Sequence, residues 1–162
     1  MPELGRVLAV DYGARRTGLA VSDPLGLVAT PLEPCVSDDL DETLTRIVAE
    51  VREREVRTVL VGMPYLPDGR EGRQVQVVRL FLDALRRVLP AGVALEELDE
   101  RDTTNEARAL LREGGIRGPR AKARLDGVAA VVLLREYLDR SHQRPRPDRE
   151  PPDSEPSPDP AD

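Results

Sequence analysis

Three acidic residues, Asp11, Glu100 and Asp126, stand where a folded core would not put them. Asp11 closes the apolar run RVLAV, Glu100 follows VALEELD, and Asp126 interrupts the apolar stretch around Leu125 and Val128. The ends of strands in an open α/β sheet are where ligands bind. A carboxylate beside a packed helix face needs a partner, because a bare buried charge is costly. No Arg or His is obviously dedicated to that task, and a divalent cation held among the three carboxylates answers it. Hard oxygen donors of this type suit Mg²⁺ or Mn²⁺. Plainer readings exist for each residue alone: an Asx turn at Asp11, solvated charge for Glu100 in EELDE, and a helical-spacing pair with Lys122 for Asp126. Their joint placement is what favours the metal. The single histidine, His142, lies near the C-terminus, which argues against a Ser-His-Asp triad, a Cys-His pair or a His-ligated zinc.

A second feature is the segment REGGIRGPRAKAR, Arg112 to Arg124, which sets five basic residues against one acid. The chain as a whole carries a net charge of −6, so this excess is local. A charge run is often only a solvated face, but this one leads directly into Asp126. Guanidinium groups beside metal-bound carboxylates suit a phosphodiester. Arg117, Arg120, Lys122 and Arg124 are therefore candidate nucleic-acid contacts, and Lys122 is the only lysine of the chain.

These residues need elements to position them. Arg6 to Val10 reads as a strand, Gly13 to Arg16 as a turn, and Thr17 to Ser22 as the returning strand of a hairpin. Leu27 to Cys35 reads as a third strand, at an edge because of Pro31 and Pro34. Asp38 or Asp39 caps a helix with Leu40, Leu44, Ile47, Val48 and Val51 on one face. TVLVG is a strand buried on both sides. A helix bearing Val77, Val78, Phe81, Leu82 and Leu85 then runs to Pro90, and GVALEEL returns as a strand. One further helix starts at Thr103 or Thr104 and stops at Gly114-Gly115. The last runs from about Ala121 to Leu138, with an apolar stripe of Leu125, Val128, Ala129, Val132 and Leu133. The order β-β-β-α-β-α-β-α-α implies an α/β protein with a mixed central sheet flanked by helices.

The length of 162 residues fits one domain. Residues 1–140 are read as that domain. Residues 141–162 hold three Arg against six Asp or Glu and are rich in Pro, so they are expected to be a disordered acidic tail. One cysteine, Cys35, precludes an intramolecular disulfide, and no N-terminal apolar stretch resembles a leader or a membrane span. A cytoplasmic protein without a membrane partner is expected. Aromatic residues are only 2% of the chain, so base stacking is a poor basis for ligand binding.

Together, VDYGARRTGLAVSD, VGMPYLPDGREGRQVQVVRLF, LDERDTTNEAR and LDGVAAVVLLREYL resemble the YqgF/RuvX family, Holliday-junction-resolvase-like proteins also described as pre-16S rRNA nucleases. The similarity spans Arg6 to Leu138 with the motifs in order. It implies an RNase H-like fold, with Asp11, Glu100 and Asp126 as catalytic metal ligands. Arg15, which replaces a common lysine, then joins Arg16 and Arg101 among the nucleic-acid contacts, Arg101 serving either to orient the DER carboxylate or to meet phosphate. Asp102 departs from the family pattern, adding a carboxylate where an apolar residue is usual, and YLPDGR varies a loop usually read NMDGT. The resemblance implies a metal-dependent endonuclease acting on structured RNA or branched DNA. Maturation of the 5′ end of pre-16S rRNA is favoured, and junction resolution, which would call for a homodimer, is the alternative. A non-catalytic nucleic-acid-binding module is a third reading. DYGARRTG also resembles the first phosphate loop of actin-like ATPases, but those enclose ATP between two large lobes, and a second phosphate loop is not apparent here.

Overall fold

The computed structural model describes residues 4–102 and 119–143, with side chains in the last helix described from Gly127 onward. Five strands, β1 (Arg6–Asp11), β2 (Arg16–Ser22), β3 (Ala29–Val36), β4 (Val56–Met63) and β5 (Ala94–Asp99), form one sheet. Its spatial order is β3-β2-β1-β4-β5. The β1–β2 and β2–β3 pairs are antiparallel, whereas β1–β4 and β4–β5 are parallel, so the sheet is mixed as expected. Helices α1 (Leu40–Glu53), α2 (Arg73–Val88) and α3 (Pro119–Gln143) flank it.

Strand alternation divides the core between the two faces. Leu8 and Val10 of β1, with Val59 and Val61 of β4, pack against Ile47 and Val51 of α1 and Val78, Phe81 and Leu85 of α2. Val7, Ala9, Ala20, Leu60 and Leu98 meet Ala130, Leu133, Leu134 and Leu138 of α3 on the other face. β4 is thus buried on both sides. β3 is an edge strand, the position in a sheet where prolines such as Pro31 and Pro34 are tolerated.

Local signals account for the element ends. Asp39 is the N-cap of α1, its carboxylate accepting the Asp41 N–H at 2.9 Å. The strand expected from Leu27 starts at Ala29 instead. Asp23 holds residues 25–28 in a turn by accepting the N–H groups of Leu25, Leu27 and Val28, which also depresses its carboxyl pKa, the Val28 bond contributing most. Gly13 lies in the β1–β2 turn, where a Cβ would overlap the Arg16 carbonyl oxygen.

Three expected faces are corrected. Val75 is buried in α2, while Val77 is 41% exposed, because the inward line runs through 75, 78, 81–82 and 85. Leu40 opens α1 and remains exposed. In α3 the line against the sheet is Ala130, Leu133–Leu134 and Leu138; of the expected stripe Leu133 is in this line and Val132 is buried, whereas Val128 and Ala129 are only partly buried and the Leu125 side chain is outside the described ones. α3 also continues to Gln143, three residues into the segment read as tail. Ser141 Oγ donates to the Tyr137 carbonyl there, and a His142 ring nitrogen lies 2.9 Å from the Gly26 carbonyl oxygen. The helix expected between Thr103 and Gly115, and residues 144–162, lie outside the described residues. No described helix is long and apolar enough to cross a membrane.

Candidate active site

Asp11 is the last residue of β1, and the hairpin pairs it with Gly18 of β2. On its other side β4 runs parallel with Val10 opposite Val61, which brings Gly62 level with Asp11. β5 continues the row, Leu98 pairing with Gly62 and Asp99 with Met63, and Glu100 follows at once in a short 3₁₀ turn, Glu100–Asp102. Residues 89 positions apart therefore meet at the carboxyl ends of three adjacent strands. This is where an open sheet presents its crevice.

The crevice is a cleft of about 270 Å³ lined by Asp11, Tyr12, Gly13, Arg16, Gly62, Pro64, Gln74, Val78 and Glu100. The Asp11 side chain hydrogen-bonds the Glu100 carboxyl in this cleft. Burial pushes the Glu100 carboxyl above its usual range. The Asp11 hydrogen bond opposes that shift, and the nearby Asp99 charge adds to it. Gly62 makes room for the pair: a Cβ there would overlap Glu100 Oε1 and stand 2.8 Å from its Cγ and 2.9 Å from its Cδ. Two hard oxygen donors pressed together in a cradle that only glycine leaves open fit a divalent cation. Among the described residues no three such ligands cluster. Asp126 lies on the α3 backbone four residues before the buried Ala130, and its side chain is outside the described ones.

The expected nucleic-acid contacts separate. Arg16 lines the cleft itself, whereas Arg15 is exposed on the hairpin turn. Arg101 turns from the cleft toward Asp99 and Tyr65, as detailed below. Arg117 lies outside the described residues, as do the side chains of Arg120, Lys122 and Arg124. Sequence reasoning missed Gly62, Tyr12 and Gln74. The Tyr12 ring stacks on Phe81 with centroids 4.1 Å apart and planes 4° from parallel, which fixes the backbone just after Asp11 against α2. Gln74 enters from the first turn of α2. The Gly62 signal was visible as a glycine ending an apolar strand, a place where close approach is common.

The family model described as "RuvX: Holliday junction resolvase" matches residues 5–140. This chain belongs to the RuvX family. A RuvX relative from Chloroflexus aurantiacus, named "Putative pre-16S rRNA nuclease", is 38% identical over 148 residues, covering 91% of this chain and 95% of its own. One from Mycobacterium tuberculosis with the same name is 41% identical over 139 residues, covering 85% and 81%. Among solved structures, Thermus thermophilus RuvC in complex with a Holliday junction substrate superposes with a TM-score of 0.56 at 18% identity, covering 85% of this chain and 96% of that one. The likeness is one of fold, and it identifies the mixed sheet and its helices as RNase H-like.

Proposed function

We propose that this RuvX protein is a divalent-metal-dependent endonuclease that hydrolyses phosphodiester bonds in the 5′-end maturation of pre-16S rRNA. The observation that carries the reading is the Asp11–Glu100 carboxyl pair in its Gly62 cradle, at the strand ends of a chain whose relatives bear a nuclease name. Asp11 and Glu100, joined by Asp126 from α3, would hold Mg²⁺ or Mn²⁺. When bound, the cation supplies Lewis acidity toward the attacking water and the leaving oxygen. In the hydrolysis one P–O bond forms from water and the P–O bond to the departing sugar oxygen breaks.

The chain's own residues do the rest. Asp11 and Glu100 would both have to be deprotonated to hold a cation, so loading the site would release any proton bound there. Arg16, within the cleft, offers planar donors to the phosphate, and Arg15, Arg117, Arg120, Lys122 and Arg124 are further candidate contacts to the nucleic-acid backbone. A pre-rRNA substrate sets this work in the cytoplasm.

Junction resolution is the second reading, favoured by the family's description. Cleavage of labelled rRNA precursor and of a four-way DNA junction, in Mg²⁺ and in Mn²⁺, separates the two. We expect the precursor to be cut and Asp11→Asn to lower the rate at least about a hundredfold, since even residues behind metal ligands cost 10–100-fold. Cutting of the junction alone would assign the second reading. Binding without cutting, unchanged by a chelator, would leave a non-catalytic module.

A further inference from the structure

Arg101 immediately follows Glu100, and three sets of contacts describe its setting. Its Nε and Nη2 donate to Asp99 Oδ2 at 2.8 and 2.6 Å, while its backbone N–H donates to Asp99 Oδ1 at 2.9 Å. The guanidinium carbon lies 5.8 Å from the centroid of the Tyr65 ring. Nη1 lies beside Gly69, where a Cβ would stand 3.0 Å from it and where φ is +87°. Tyr65 and Gly69 belong to the loop between β4 and α2, residues 64–72, which joins Gly62 to Gln74. That loop closes on itself through Leu66 N–H to the Arg70 carbonyl, 3.0 Å, and Gly69 N–H to the Leu66 carbonyl, 2.8 Å.

We propose that Arg101 is a positioning residue: a strut that fixes the 64–72 loop to the end of β5, and through it the cleft wall opposite Asp11. The inference rests on the nuclease reading above. Planarity is the physical reason for arginine here. Nε and Nη2 of the guanidinium are bound to Asp99 while its central carbon lies over the Tyr65 ring, and the single nitrogen of an ammonium cannot do both. A direct phosphate contact, by contrast, would leave Tyr65 without a part to play.

Arg101→Ala, Arg101→Lys, Tyr65→Leu and the Arg101→Ala/Tyr65→Leu double variant test this, each first checked for an unchanged circular dichroism spectrum. For a strut, kcat falls about tenfold or more with KM within about twofold, the scale of a misplaced cleft wall. Lysine does not restore it, Tyr65→Leu falls in the same way, and the double variant is little worse than either single one. The salt slope of nucleic-acid affinity stays as in wild type. Amide exchange at Leu66 and Gly69 in the Arg101→Ala protein quickens about tenfold, a readout that needs no cleavage. A phosphate contact gives the opposite set: in Arg101→Ala KM rises and the salt slope drops by about 0.9 for a duplex, lysine restores that slope, and Tyr65→Leu is silent. Unchanged exchange at the two amides overturns the strut whatever the kinetics. A wild-type protein that cuts nothing, with exchange still quickened by Arg101→Ala, overturns the nuclease reading and leaves the strut standing.

Discussion

At the scale of single residues, the chemistry turns on two carboxyl groups held closer than either would choose in water. Glu100 has its folded pKa raised, mainly by burial. The sign of the resulting linkage is fixed: its contribution to stability is fully present below the ordinary carboxylate range and is lost as pH rises through the raised folded value. Deprotonation of Glu100 in the metal-free protein is thus opposed by burial, a cost that glutamine would remove. Glu100→Gln should raise the thermal midpoint of the metal-free protein near pH 7 and make little difference at mildly acidic pH. Mg²⁺ should raise the midpoint of wild type and not that of the variant, and thermal scans with and without chelator check both. A lowered midpoint for metal-free Glu100→Gln at neutral pH would mean that the carboxylate is structurally satisfied. Asp11 and Glu100 were legible in the sequence because each ends or follows an apolar strand run. The hydrogen bond between them was not, since no local pattern connects residues 89 positions apart.

Elements explain why that pair can form. β4 supplies Gly62 between β1 and β5, and its lack of a side chain is a steric requirement set by Glu100. Gly62→Ala should leave the fold intact yet displace Glu100, lowering divalent-cation affinity about 10–100-fold, the range found when support behind a ligand is lost. Cation titration of the variant beside wild type checks this, and wild-type affinity would remove Gly62 from the site. The sequence was a good guide to the strands, since the hairpin, the prolines of β3 and the apolar run of β4 each carry a local cause. Helical phase was harder to read. VAAVVLL in α3 is apolar on nearly every side, so its periodicity places Leu133 correctly but cannot choose between Val128 and Ala129, as expected, and Ala130, Leu134 and Leu138, as observed, for the rest of the line. In α2 the pair Val77–Val78 straddles the boundary in the same way, and only packing against the sheet separates the buried residue from the exposed one.

The whole molecule is a mixed sheet covered on both faces, with the cleft at the carboxyl ends of its parallel strands. Its acidic net charge says little about its partner, because the positive charge proposed to meet phosphate is local. The order of three strands followed by alternating helices and strands was enough to read the architecture, and the four motifs in sequence were enough to read the family. The claim on which the rest depends is that this cleft holds a divalent cation through Asp11 and Glu100. Calorimetric titration of Mg²⁺ and Mn²⁺ into the metal-free full-length protein, with Asp11→Asn and Glu100→Gln alongside, tests it most directly. Wild type should show saturable binding that weakens as pH falls, because the raised Glu100 carboxyl must lose its proton to bind, and both variants should lose binding. Undiminished binding in the two variants, or none in wild type with either metal, would contradict it.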